Sequence, residues 1–320
     1  MNILELINRA TESGKTAFAF ELLPPLKGDG LGKVYDAIDN LMEFNPIYIN
    51  VTYHREDVKY VEHKDGLLEK RITRRRPSTV GVSAAINRKY GVEVVPHLIC
   101  GGNSRYDIED ALIDMDFLGI NNVLALRGDS LKGERVFSPH VNGHSYANEL
   151  VAQITDMNNG IFIDGEVKEC HHSKFCVGVA GYPEKHAEAP NPKKDMLNLK
   201  AKIDAGASYI VTQMCFDNSK IFKFIEDCRA VGITVPIVPG IKPISTKAHL
   251  SLLPQTFHVD IPEELVREVE KCKNNIEVRE VGVQWAIRQS KELKDYGIPV
   301  LHYYSMGNTD NIAKIARAIF

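Results

Sequence analysis

No stretch of the sequence approaches the ~18 consecutive apolar residues that a membrane-spanning helix needs. The opening Met1-Asn2-Ile3-Leu4-Glu5 lacks the basic-then-apolar order of a secretory signal. Neither sign of charge dominates: 39 Lys and Arg face 42 Asp and Glu, a formal net charge of −3. General attraction to nucleic acid or to an anionic membrane is therefore not expected. Six cysteines, at 100, 170, 176, 215, 228 and 272, include no Cys-x-x-Cys pair. In a long chain without a secretory signal they read as reduced core thiols, not as a disulfide framework. A Gly-x-Gly-x-x-Gly dinucleotide loop is also missing, which weighs against an open doubly wound sheet. These absences leave a cytoplasmic, enzyme-sized globular chain. With no linker to divide it, residues 1–320 are expected to form one domain.

What is present is a recurring junction, in which an amphipathic stretch ends at glycine and a short apolar run follows. It occurs at Gly91-Val92, Gly119-Ile120, Gly206-Ala207, Gly232-Ile233 and Gly297-Ile298. Glycine is favoured just past a helix because it adopts left-handed dihedrals without steric cost. Before these glycines, Leu112, Met115 and Leu118, then Met196, Leu199 and Ile203, then Ile221, Ile225 and Cys228 recur at helical spacing. After them come branched runs that suit parallel strands buried on both faces, at Val94–Cys100, Asn122–Leu126, Tyr209–Thr212, Val235–Val238 and Pro299–Tyr303. Thr16–Leu22, Ile47–Thr52 and Phe175–Ala180 complete eight. Eight β-α units predict a (β/α)8 TIM barrel, here with extra N-terminal and loop elements. Two polar insertions interrupt the rhythm, at 53–78 and 129–145. Loops of that length are usually functional or mobile.

In a barrel enzyme the site lies where strands end. The predicted ends carry Glu21, Thr52-Tyr53, His97, Arg127-Gly128-Asp129, Tyr182-Pro183-Glu184, Gln213, Pro239-Gly240 and Tyr303-Tyr304. Glu21 sits between Phe18-Ala19-Phe20 and Leu22-Leu23-Pro24-Pro25. Desolvation there would raise its pKa, as a general acid near neutral pH requires; a Glu that merely satisfies a loop backbone is the alternative. Arg127-Gly128-Asp129 combines a cation, close backbone approach and an anion, or else a local ion pair. His171-His172 beside Cys170 and Cys176 fits no common zinc spacing, and no metal site is expected. The basic run Lys70-Arg71 and Arg74-Arg75-Arg76 reads as a solvated loop, with contact to an acidic ligand tail as the sharper alternative.

These strand ends resemble one family. Phe18-Ala19-Phe20-Glu21-Leu22-Leu23-Pro24-Pro25 is similar to the first-strand signature of methylenetetrahydrofolate reductases. Val51-Thr52-Tyr53, Pro96-His97-Leu98, Ala125–Asp129 and Gly178–Glu184 continue the match in order. So do Asp195–Lys200, Asp204–Ala207, Thr212-Gln213 and Pro239-Gly240-Ile241. The resemblance implies an FAD-carrying barrel that takes a hydride from NADH or NADPH and passes it to methylenetetrahydrofolate, in a ping-pong scheme that supplies methyl groups for methionine synthesis. It implies Glu21 as general acid and Asp129 as the charge near flavin and pterin. Gln213 becomes a substrate contact, and Thr52 borders both substrate and cofactor. FAD contacts carry over to Thr52, His97, Arg127, Gly128, Asp129, Tyr182, His186, Asp195, Asn198 and Lys202.

The implied partners are small molecules, in a homo-oligomer. Ala201 stands where relatives often carry a basic residue, and Gly307-Asn308 where many carry Asn-Arg. The chain stops soon after the last predicted strand, so regulation by S-adenosylmethionine is not expected. A proline-dehydrogenase-like flavin barrel and an inactive folate-binding module are the competing readings.

Overall fold

The structure, a computed structural model, describes residues 1–55, 57–130, 136–167, 171–305 and 309–320. Eight parallel strands close into a barrel. They are β1 (Ala17–Leu22), β2 (Tyr48–Val51), β3 (Glu93–Ile99), β4 (Asn122–Leu126), β5 (Cys176–Gly181), β6 (Tyr209–Met214), β7 (Ile237–Ile241) and β8 (Val300–Tyr304). The last pairs back onto the first, with Glu21 opposite Tyr304. Helix α1 (Ile3–Ser13) precedes β1 and α2 (Gly32–Asp39) follows it. Then α3 (Thr79–Tyr90), α4 (Arg105–Phe117), α5 (Ala147–Asn158), α6 (Pro192–Asp204) and α7 (Asn218–Ala230) follow β2 to β6 in turn. Helices α8 (His249–Phe257), α9 (Glu263–Lys271) and α10 (Asn275–Asp295) separate β7 from β8, and α11 (Asp310–Ile319) comes last.

The glycine junctions act as helix stops: Gly91, Gly119, Gly206, Gly232 and Gly297 have φ of 66, 72, 119, 77 and 90°. Side chains that match those dihedrals would be strained there. Helix starts are set by capping boxes at Asn2 and Ser104, and by Asn191 ahead of Pro192. The helical faces read from spacing pack inward, with Leu112, Met115, Leu199, Ile221 and Cys228 buried and Met196, Ile203 and Ile225 packed against them. Leu118 departs from its face. It forms the C-cap of α4 and is 51% exposed, because the chain has already turned out of the helix there. Cys100, Cys176, Cys215, Cys228 and Cys272 are buried free thiols, and Cys170 lies outside the described residues.

Strand residues alternate between two cores. Phe18, Phe20, Ile49, Val51, Val94, Val123 and Val177 face the helices. Ala19, Tyr48, Val95, Leu124, Tyr209, Val211, Val238 and Val300 fill the barrel interior. Ile3 and Ile7 of α1 join that inner cluster, so α1 plugs the N-terminal end of the barrel. It is fastened by Ile3 N donating to Asn122 Oδ1 at 2.9 Å and by the Met1 amine on Glu93 at 2.7 Å. With one end closed, the opposite rim is where a ligand can enter.

Two expectations shift. The seventh strand lies further along than Val235–Val238, because ladder pairs Met214–Gly240 and Gly240–His302 extend it to Ile241. Pro239-Gly240 is therefore inside the strand and not at its end. The insertion at 53–78 contains an antiparallel hairpin, Asp57–Glu62 with Leu68–Thr73. Its turn holds Asp65-Gly66, with Gly66 at φ 77°, a hairpin signal that the polar composition conceals. Within 129–145, residues 131–135 lie outside the described residues.

Candidate active site

Inward parity carries Glu21, Asn50, His97, Gln213 and His302 into the barrel above the apolar plug. Glu21 lies between Asn50 on β2 and Tyr304 on β8 in the ladder. Its Oε2 is 3.4 Å from His97 Nε2, and the two side chains are 14% and 8% exposed. Burial pushes the Glu21 carboxyl up to about 8, against the opposing pull of Lys242. Burial, with His54 nearby, pushes His97 down to about 3. At neutral pH Glu21 thus keeps its proton and His97 stays uncharged. The Asn50 Nδ2 amide lies 3.2 Å from the same His97 Nε2, so the ring joins the acid to the β2 amide. A buried acid beside two neutral polar groups can give up a proton to a ligand at the mouth.

A bulge re-aims Gln213. Val211 pairs with Val238 but Met214 pairs with Gly240, so β6 carries one extra residue at Thr212-Gln213. The bulge is held from three sides: Gly240 N donates to Thr212 Oγ1 at 3.0 Å, Tyr304 Oη donates to Thr212 O at 2.6 Å, and Met214 N donates to Gln213 Oε1 at 2.9 Å. Gln213 keeps its amide N–H groups for another partner. The Tyr304 ring reaches β6 by lying across Gly240, where an added Cβ would meet ring carbon Cε2 at 2.4 Å.

The remaining strand ends form a polar wall on the β4–β5 side. Arg127 makes a two-pronged pair with Glu188, at 2.5 and 2.8 Å, and lies over the Phe137 ring. The carboxylate raises Arg127's already high pKa. Gly128, at φ 83°, is pressed on Ile99, and Asp129 is exposed at the rim. Tyr182 meets His186 edge-on, with ring centroids 4.7 Å apart. The backbone N–H of His186 donates to Asp195 Oδ2 at 2.9 Å. Burial lowers the Lys202 ammonium to about 8, and it donates to Ala180 O at 2.5 Å. Asp195, Asn198 and Lys202 follow at helical spacing along α6, but Asn198 is exposed and so is Ala201. Thr52 Oγ1 and Asn50 Oδ1 are buried without a hydrogen-bond partner.

The basic run divides. Arg71 pairs with Glu69 on the hairpin, while Arg75 and Arg76 join His54, Arg55 and Leu26 around a cleft of about 200 Å³. His171 is exposed, and among the described residues no His, Cys, Asp or Glu group is arranged to hold a metal. Gly307-Asn308 lies outside the described residues. Lys242, one residue past β7, is a site residue that strand-end reading overlooked. Its available signal was a lysine at inward parity in the run Val238-Pro239-Gly240-Ile241-Lys242-Pro243-Ile244.

The buried titratable groups set a stability profile. Glu21 moves from 4.5 to about 8, so the folded state holds a proton that the unfolded chain has lost, and stability falls as pH rises through that window. His97 and His302 move from 6.5 to about 3, so stability falls as pH drops through theirs. With His249, lowered to about 4, these histidines outweigh one carboxyl below pH 6.5; above it Glu21 dominates until Lys202 and Lys242, both lowered from 10.5 to about 8, begin to oppose it. Calorimetry should show a melting temperature that peaks near pH 6.5 and declines toward pH 8. In Glu21→Gln the alkaline decline should vanish. A wild-type melting temperature still climbing at pH 8 contradicts the Glu21 assignment.

The same chain matches the family model for methylenetetrahydrofolate reductase over residues 6–319. It belongs to the methylenetetrahydrofolate reductase family. The 5,10-methylenetetrahydrofolate reductase of Salmonella typhimurium is 30% identical, over 97% of this chain and 93% of that protein. Methylenetetrahydrofolate reductase (NADH) 1 of Arabidopsis thaliana is 31% identical over 98% of this chain and 50% of the plant protein. The probable methylenetetrahydrofolate reductase (NADPH) of Caenorhabditis elegans is 28% identical, over 98% and 44%. The chain thus spans about half the length of these plant and animal reductases. In fold it is also similar to a solved Clostridium thermocellum protein described as binding two copies of 5-methyl-5,6,7,8-tetrahydrofolic acid. That likeness has a TM-score of 0.56 at 13% identity and covers 98% of each chain. Among the described residues no helix is long and apolar enough to cross a membrane.

Proposed function

We propose that this protein reduces 5,10-methylenetetrahydrofolate to 5-methyltetrahydrofolate with NADH or NADPH as donor, through bound FAD. The observation that carries the reading is Glu21: a carboxyl protonated at neutral pH, at the mouth of the barrel, in a chain of this family. The residues present fit a flavin dinucleotide. Arg127 and Lys202 supply cations for a diphosphate, Gly128 has no side chain to obstruct it, and the Thr52 hydroxyl is a buried polar group lacking a partner. Tyr182, His186, Asp195 and Asn198 extend that wall. Flavin chemistry supplies what no side chain here can, taking a hydride from a nicotinamide and giving one up to a folate in turn.

The chain's own part is acid–base and electrostatic. Glu21 holds the proton that a folate ring nitrogen needs when the five-membered ring opens to an iminium ion. His97 and Asn50 orient that carboxyl. The Asp129 carboxylate stabilises the positive charge that develops on the folate, and the Gln213 N–H groups face the pterin. The cleft of His54, Arg55, Arg75 and Arg76 suits the acidic end of a folate. Methionine synthesis would then draw on the methyl group produced.

An anaerobic visible spectrum tests this directly. A yellow protein should bleach with NADH or NADPH and regain colour with methylenetetrahydrofolate, which also identifies the donor. Bleaching without a response to folate would point to another acceptor, proline chemistry included. A colourless protein that cannot be reconstituted with FAD would replace the enzyme with a folate-binding module.

A further inference from the structure

Lys242 is 6% exposed, a burial that an ammonium seldom tolerates without compensation. Strand parity accounts for its position. Val238 belongs to the interior cluster, Gly240 lies beneath the Tyr304 ring, and Lys242 follows at the same two-residue step. The ladder sets its level: Ile241 pairs with Tyr303 and Tyr304 pairs with Glu21. Three adjacent strands thus bring Lys242, Tyr304 and Glu21 to one height at the rim. No direct ion pair ties Lys242 to a carboxylate among the described residues, yet Glu21, once it ionises, is the group whose field favours the ammonium form of Lys242.

Among the described residues, the other titratable groups set against the pair are neutral near pH 7. His97 on β3 and His249 on α8 are both pushed down by burial, to about 3 and about 4. Tyr48 on β2 and Tyr304 on β8 are pushed well above the ordinary tyrosine range and keep their protons. The Asn50 amide carries no charge. The local balance therefore rests on one ammonium and one acid.

We propose that Lys242 is a positioning residue for the Glu21 proton: its ammonium, held at the same level of the barrel, steadies the carboxylate that remains when Glu21 gives its proton away. This rests on the reading of Glu21 as the acid in folate reduction. In that step the proton leaves a Glu21 oxygen for the folate ring nitrogen. The ring C–N bond breaks with its electron pair toward that nitrogen, the iminium cation forms, and the new carboxylate faces Lys242. Without Lys242, the same carboxylate would stand alone in a desolvated site, and proton release would be harder.

The test is Lys242→Met, which keeps the length of the side chain and removes the charge. Because Glu21 is neutral at rest, no buried charge is left without a partner, and the variant should fold. Infrared spectra across a pH series, with Glu21→Gln to identify the protonated carboxyl band, read the proton on Glu21 directly. In wild type that band should disappear near pH 8. In Lys242→Met it should persist to a pH higher by about one unit or more, a tenfold tighter hold on the proton. Lys242→Gln, polar but uncharged, should shift the band the same way. The alkaline limb of the pH–rate profile for folate reduction should move with the band, a readout that a merely structural lysine would not displace. A band that titrates at the same pH in all the lysine variants overturns the proposal. A wild type inert to folate whose band still shifts in the variants would retire the folate reading and keep the Lys242–Glu21 coupling. Active enzyme with an unmoved band would do the reverse.

Discussion

Glu21→Gln should lose folate reduction by roughly 10²–10⁴-fold, the range a positioned general acid contributes, while nicotinamide-driven bleaching stays within a few-fold. Glutamine matches glutamate in size and can still approach His97, which Asn50 contacts in turn, so the site's shape survives. What it lacks is a proton that can be released. Hydride loss from a nicotinamide needs no such proton, and opening of the folate ring does. Stopped-flow measurement of the two half-reactions separates these demands. If both fell together, Glu21 would be part of the scaffold and the acid would have to be sought elsewhere.

Gly282→Ala should be the most damaging small substitution away from the rim. Gly282 lies within α10, and an added Cβ would sit 1.9 Å from the carbonyl oxygen of Ile244 and 2.8 Å from its nitrogen. Backbone cannot rotate aside as a side chain can. The helix is also unable to retreat. Trp285 Nε1 donates to Phe216 O at 3.0 Å, Gln289 Nε2 to Cys215 O at 3.1 Å, and Asn218 Nδ2 to Gln289 O at 3.1 Å. Overpacking of this kind costs about 3 kcal/mol or more, which in a chain of this size lowers the melting temperature by roughly 5 °C or more. Ile244 is two residues beyond Lys242, so folate turnover should also suffer in the fraction that folds. An unchanged melting temperature would show that the contact relaxes freely.

The barrel was legible because its signals are local. A glycine that stops a helix and a branched run that follows it are written in adjacent residues, and five such junctions all stop helices in the structure. The rim was legible for a related reason, since a polar residue closing an apolar strand marks itself, as Glu21 and Arg127 do. Features that depend on a partner strand were not. The bulge at Thr212-Gln213 exists only relative to β7. The same ladder moved the seventh strand past Pro239-Gly240 and put Lys242 at the rim. Leu118 fits the helical period yet lies outside the helix, because period alone does not say where a chain turns. In the insertion, Asp65-Gly66 was a local signal outweighed by the polar residues around it. Asp195, Asn198 and Lys202, named from the family resemblance, fall at helical spacing along α6, but spacing does not report depth, and Asn198 lies at the surface.

Helix α1 gives the barrel a floor. A vessel with a floor has a single doorway, and everything that reacts near Glu21 must arrive and depart through it. On the function proposed above, a nicotinamide and a folate that both used that spot would have to queue, the first visitor leaving before the second was served. Taking turns would then follow from the shape of the container, imposed by Ile3 and Ile7 at the far end of the barrel from any chemistry.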